Sequence, residues 1–228
     1  MCVLRTHTNL PPILKRYASC LCEEKNTVML ARLRPFYDQF VLPLGKFSAS
    51  VGLNPDFWTF FSLLVSVLAG YLLSRGWFWW GLVAVVVMFA ADALDGATAR
   101  AIGRNNRFGT VLDHSVDRYA EFFVIGGLLV GGWISPLLAM FTASGVVMAS
   151  YVRAKAESAG GLQECTVGIA GRAEKLFLTY GAIALMGLGV FNAAQVLLWI
   201  VGIISHVTAV QRLLYTRSQL LKTSLPNQ

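Results

Sequence analysis

Residues 92–117 read DALDGATARAIGRNNRFGTVLDHSVD. Asp92 and Asp95 stand three apart and Asp113 and Asp117 four apart, spacings that put each pair on one face of an α-helix. Gly96, Ala99, Arg100 and Gly109 lie between the two pairs. The surrounding chain is apolar enough for a membrane, where an ionised carboxylate is costly. Four of them together therefore read as a functional site that needs compensating charge or water.

The chain outside this stretch supports a membrane reading. Of its 228 residues, 56% are hydrophobic and 14% charged, against about 25% charged in ordinary soluble domains. Its mean hydropathy is +0.59. Apolar segments cover roughly 57–75, 77–98, 108–133, 135–158, 173–191 and 193–216, each near the ~20 residues that cross a bilayer. The expected fold class is all-α: an integral membrane protein of six transmembrane helices, forming one domain over 51–218. Residues 29–50 mix basic and apolar side chains and suit a juxtamembrane amphipathic helix lying on the membrane surface. Residues 1–28 carry no helical stripe and read as a disordered extension, with Met29 a candidate true start; 219–228 read as a cytoplasmic tail.

Charge placement sets orientation. Arg100, Arg104 and Arg107 lie between the second and third segments, Arg153, Lys155, Arg172 and Lys175 flank the loop between the fourth and fifth, and Arg217 and Lys222 follow the sixth. The opposite loops hold only Arg75. Positive loops stay inside, so both termini and the aspartates are expected on the cytoplasmic side of the cell membrane. The net charge of +7 is spent on these loops. No basic patch interleaved with aromatics lies elsewhere, so no nucleic-acid partner is expected. Cys2, Cys20, Cys22 and Cys165 have neither zinc spacing nor a disulfide framework and read as reduced thiols.

Two antiparallel helices would bring all four aspartates to one point. Clustered carboxylates repel unless neutralised, and hard divalent cations with oxygen ligands are the usual solution. Mg²⁺ in particular takes a few carboxylates plus substrate phosphates. Gly96 and Gly109 leave room for a ligand against the backbone. Handling of a phosphate or pyrophosphate on a metal centre is the function implied. Two other readings use the same residues: structural ion pairs with Arg100, Arg104, Arg107 or Arg118, and a proton relay or metal-ion transport path. His114, one position from Asp113, points elsewhere on the helix. Glu121 continues the face of Asp117 and calls for an arginine such as Arg118. Gly127 and Gly131 would let a neighbouring helix approach closely, and Trp77, Trp79 and Trp80 suit an interfacial belt.

The pattern Asp-x2-Asp-Gly-x2-Ala-Arg-x8-Gly-x3-Asp-x3-Asp, filled by Asp92, Asp95, Gly96, Ala99, Arg100, Gly109, Asp113 and Asp117, resembles the signature of the CDP-alcohol phosphotransferases. The resemblance implies a metal-dependent transferase that takes a CDP-linked lipid and a second alcohol. The alcohol oxygen attacks the β-phosphorus and CMP leaves. By that resemblance Asp92, Asp95, Asp113 and Asp117 hold Mg²⁺ or Mn²⁺, Asp117 is also the general base, and Gly96, Ala99, Arg100 and Gly109 line the CDP pocket. Homodimers are expected. One departure is Asp56, which stands where the family often has asparagine in Pro-Asn-x-x-Thr; Pro55 and Thr59 match.

The acceptor is addressed further along. Arg153, Lys155, Arg172 and Arg212 are expected at the cytoplasmic ends of three helices, where they suit an anionic acceptor, since arginine grips phosphate with parallel hydrogen bonds. The runs Ser150–Glu157, Gly168–Lys175 and Val210–Arg212 resemble the subgroup that uses inositol 1-phosphate, in particular its archaeal branch. The implied donor is CDP-archaeol, or CDP-diacylglycerol in a bacterium. Glycerol 3-phosphate as acceptor, or CDP-inositol as donor, are the alternatives within the same chemistry. His206 lies close enough to Arg212 in sequence to face the same pocket.

Overall fold

The computed structural model describes residues 34–103, 107–162, 165 and 167–224. All of their regular elements are helices, with no strand among the described residues: α1 Arg34–Ser50, α2 Pro55–Ser74, α3 Phe78–Ile102, α4 Arg107–Val130, α5 Pro136–Ser158, α6 Arg172–Gly187 and α7 Phe191–Ser224. The extension read over 1–28 lies outside the described residues. A helix does form within 29–50, over Arg34–Ser50.

Local chemistry accounts for the starts and stops. Pro55 and Pro136 open α2 and α5 at the first helical turn, where a missing N–H costs nothing. The Ser135 side chain caps α5 by accepting from the Leu138 N–H at 3.2 Å. Gly103 closes α3 in the left-handed region at φ 68°. Nothing of this kind interrupts the last helix. It runs on into the tail expected over 219–228, as far as Ser224, so the charges at Arg217 and Lys222 do not mark the end of the helix.

Four helices are long and apolar enough to cross a membrane: α2, α3, α5 and α7. The chain is a multi-pass membrane protein. Its outer surface agrees, with Leu64, Trp80, Val130, Leu137 and Met140 all at least 67% exposed. Such a surface is tolerable only against lipid or another apolar partner. α4 carries the charged residues Asp113, Asp117, Arg118 and Glu121, and α6 has 16 residues, about 24 Å.

The chain folds as three helical hairpins, α2–α3, α4–α5 and α6–α7. The turns within the hairpins share one end, and the aspartates lie toward the other. At the turn end, Trp133 meets Phe78 edge-on at 5.0 Å and stacks on Phe191 at 5.7 Å, joining all three hairpins. Its indole N–H donates to the Leu73 carbonyl at 2.9 Å, and its own carbonyl accepts from Gln195 at 3.1 Å. Leu73, Val85, Leu128, Ile183, Met186 and Leu198 fill the interior behind it. Gly127 of α4 packs onto the backbone of Gly70 in α2, so the close approach expected of the small residues is an intramolecular one. Gly131 instead lies under Trp133. α1 lies along α3, where a Cβ at Gly45 would come within 2.6 Å of the Ala97 Cβ. It is tied to α2 by a 2.7 Å hydrogen bond from the Trp58 indole to the Ser48 hydroxyl.

Trp133→Ala is expected to cost about 3 kcal/mol of stability. In detergent this should appear as a lowered Tm without loss of helix content; an unchanged Tm would show that the hairpins are joined elsewhere.

Candidate active site

The site sits at the end opposite the aromatic junction, where α3 and α4 bring the two aspartate pairs together. One carboxylate oxygen from each of Asp92, Asp95 and Asp113 lies within 4.8 Å of the others. Divalent metals with six oxygen ligands at 2.0–2.1 Å place opposite ligands about 4.2 Å apart, so this hard-oxygen set fits Mg²⁺ or Mn²⁺ after small side-chain adjustment. Asp95 is buried and aimed by a neighbour: the Thr59 hydroxyl on α2 donates to its Oδ2 at 2.9 Å.

Asp117 is also buried but is held otherwise. Its Oδ1 makes a short ion pair with Arg172, which leads α6. The same guanidinium reaches Asp92 Oδ2 at 3.4 Å and Glu121 Oε1 at 3.9 Å. Arg118 takes the other side, 3.9 Å from Asp117, 2.7 Å from Glu121 and 2.9 Å from the Ser150 hydroxyl of α5. The pairing of Glu121 with Arg118 matches the expectation. Arg172, whose sequence position suggested only an acceptor ligand, reaches the same carboxylates from α6.

Gly96 faces open space, with nothing within 4 Å of a built Cβ, so a ligand can lie against the α3 backbone there. Ala99 and Gly109 are half-buried nearby on their helices and Arg100 is exposed. Arg104 lies outside the described residues.

The remaining cations divide. Arg153 lies beside Glu157, with Nε to Oε1 at 2.9 Å, and Arg212 and Arg153 are within Coulombic range of each other. Arg212 is buried and pins the α5–α6 connection: Nε donates to the Val167 carbonyl at 3.0 Å and Nη1 to that of Ala149 at 2.6 Å. Gln211 accepts from the Ile169 N–H at 3.0 Å. Lys155 is not brought to this group. Two residues from Arg153 it projects from another face of α5, exposed, its Nζ 5.9 Å from the Tyr151 ring centroid. His206 turns to the α5–α7 seam, where it meets the Phe141 carbonyl at 3.1 Å and stacks on the Phe141 ring. His114 is exposed. Cys165 is a free buried thiol, and burial pushes its pKa up, in keeping with the reduced reading.

Three residues were not singled out as site residues from sequence. Lys175 is buried on α6 within Coulombic range of Arg212 and Glu121. Its place one helical turn after Arg172 was the available signal. The Tyr180 hydroxyl is buried, accepts and donates no hydrogen bond among the described residues, and lies in range of Arg172 and Asp92. Ser150 is placed by its bond to Arg118.

Carboxylates able to hold a divalent cation, flanked by guanidiniums at one end of a membrane helix bundle, are the donor set of metal-assisted transfer of a phosphate-bearing group. The family model for CDP-alcohol phosphatidyltransferase matches residues 53–211, and the chain belongs to that family; it is a transferase, and the ion-transport reading falls. It is 33% identical over 193 residues to the archaetidylinositol phosphate synthase of Pyrococcus horikoshii, covering 84% of this chain and 98% of that protein. It is 34% identical to the phosphatidylinositol phosphate synthase of Streptomyces avermitilis over 82% of this chain and 81% of that one. Crystal structures of the Mycobacterium tuberculosis phosphatidylinositol phosphate synthase with CDP-DAG bound, and in complex with manganese and citrate, each superpose with a TM-score of 0.70 at 29% identity. They cover 78% of this chain and 94% and 90% of those chains.

Thr59→Val removes the donor that orients Asp95. Loss of such an outer partner is expected to weaken Mn²⁺ binding about tenfold, read from free Mn²⁺ by electron paramagnetic resonance. Unchanged affinity would remove Asp95 from the ligand set.

Proposed function

We propose that this enzyme joins the lipid phosphate of CDP-archaeol or CDP-diacylglycerol to inositol 1-phosphate, with release of CMP. A hydroxyl oxygen of the acceptor bonds to the β-phosphorus of the donor, the bond from that phosphorus to the bridging oxygen breaks, and CMP departs with the electron pair. Asp117 takes the hydroxyl proton. Asp92, Asp95 and Asp113, with Asp117 as a further candidate, would hold Mg²⁺ or Mn²⁺, which when bound offsets the charge of the pyrophosphate. Gly96, Ala99, Arg100 and Gly109 bound the cytidine diphosphate, the open face at Gly96 being where it meets the backbone.

The observation that carries the acceptor is the set of cations beside the aspartates: Arg172 on the carboxylates themselves, with Lys175, Arg153 and Arg212 behind it. Arg212 spends two of its five N–H donors on backbone carbonyls and keeps the others for a ligand. A neutral alcohol has no use for this much positive charge, whereas a phosphate monoester does. The likeness to enzymes named as inositol phosphate lipid synthases points the same way.

The reading extends to the bilayer. α4 and α6 complete six crossings, each as one arm of a hairpin whose other arm, α5 or α7, is long and apolar enough to span. α1 lies at the membrane surface, and the aspartates, both termini and the basic loops face the cytoplasm across the plasma membrane. The working unit is a homodimer.

Purified protein with Mg²⁺ and CDP-archaeol, or CDP-diacylglycerol in parallel, is expected to release CMP with inositol 1-phosphate and not with glycerol 3-phosphate or free inositol. CMP with glycerol 3-phosphate alone would keep the transfer chemistry and overturn the acceptor. Asp117→Asn should abolish turnover while CDP-lipid binding persists; retained turnover would put the base elsewhere. Arg153→Ala should raise the acceptor's KM about tenfold, the worth of one charge-assisted hydrogen bond at a partly exposed site, and leave that of the CDP-lipid unchanged. A rise confined to the CDP-lipid would move Arg153 to the donor side.

A further inference from the structure

Arg172 occupies a position that its role as an acceptor ligand does not explain. Its guanidinium lies on Asp117, Asp92 and Glu121 at once. Asp92 belongs to the three carboxylates arranged for a cation. A divalent ion on those oxygens and a guanidinium on the same carboxylate are like charges side by side, which costs several kcal/mol.

We infer that Arg172 is an internal counter-ion which competes with the divalent metal for Asp92 and Asp117, so that metal loading releases this arginine to the acceptor phosphate. Three consequences follow from the geometry. Arg172 and the metal weaken each other's hold on the carboxylates by the same factor, since coupling between two binding equilibria is reciprocal. The Arg172 N–H donors that lie on Asp92 and Asp117 become available to the acceptor phosphate when those carboxylates turn to the metal, so metal binding and acceptor binding strengthen each other through this side chain. Asp117 gives up its ion pair with Arg172 when the metal is held there. Glu121, 3.9 Å from the Arg172 Nε and also bound to Arg118, stays as the remaining anion, so the released guanidinium is kept inside the site. Filling in the order metal first, acceptor second is thereby built into one ion pair. The metal half of this inference stands on the geometry alone; the acceptor half rests on the acceptor reading above.

The test uses full-length protein in detergent without CDP-lipid. Free Mn²⁺ is followed by paramagnetic resonance for the wild type, Arg172→Gln and Arg172→Lys. Arg172→Gln should bind Mn²⁺ about tenfold more tightly, the middle of the range for coupled sites, while Arg172→Lys, which keeps the charge, stays close to the wild type. Unchanged or weaker binding in Arg172→Gln overturns the competition. In the wild type alone, calorimetric binding of inositol 1-phosphate should tighten at least fivefold on adding Mn²⁺, and absence of that effect overturns the coupling whether or not the variants fold. If Mn²⁺ tightens acceptor binding equally in Arg172→Gln, the coupling runs through direct contact of metal and phosphate, which overturns the role of Arg172. If inositol 1-phosphate binds under no condition, the acceptor half falls with the acceptor reading, and the Mn²⁺ comparison still decides the metal half.

Discussion

Mutual repulsion among carboxylates is the constraint to which this structure answers. Asp92, Asp95, Asp113, Asp117 and Glu121 meet at one end of an apolar bundle, and such a group is stable only with cations among its members. The chain supplies two of its own from separate helices: Arg118, from the helix that carries three of these five acids, and Arg172, from the start of α6. Arg118 is fixed on three sides by Asp117, Glu121 and Ser150 and serves as scaffold. Arg172 has no such hydroxyl partner and is more than a third exposed, which leaves it free to change partners.

The two ends of the bundle divide the work. At the turn end, aromatic stacking and buried aliphatic side chains hold three hairpins together. At the site end, hydrogen bonds and ion pairs take over, and several lead to chain connections: Arg212 to the Val167 carbonyl, Gln211 to the Ile169 N–H, Glu157 to the Cys165 N–H. One side of the site is thus framed by a connection pinned from α7, and the other by the bodies of α3 and α4.

Much of this was legible in the sequence because it is local. Aspartates three and four apart on one helix face need no knowledge of the fold, and six apolar stretches lie within a few residues of α2 to α7, though α4 and α6 fall short of the length or apolarity of a span when taken alone. What could not be read is long-range. Thr59 and Asp95 are 36 residues apart, Arg172 and Asp92 are 80 apart, and no periodicity links them. Lys155 and Arg153 looked equivalent as charges near one helix end, yet two positions along a helix separates their faces. Trp133 looked like any tryptophan near a turn, and its part in joining three hairpins depends on where Phe78 and Phe191 arrive.

The crossing of α2 and α4 has a consequence for heredity. A Cβ at Gly127 would lie 2.7 Å from the Gly70 Cα, and one at Gly70 would lie 2.5 Å from the Phe123 carbonyl oxygen, backbone in both cases and unable to yield as a side chain can. Both glycines lie toward the turn end, far along their helices from the aspartates. One added methyl there forces apart the helices that carry Thr59 and Asp113. The mildest of codon changes, glycine to alanine, at positions far from the aspartates can therefore disturb the spacing on which the site depends.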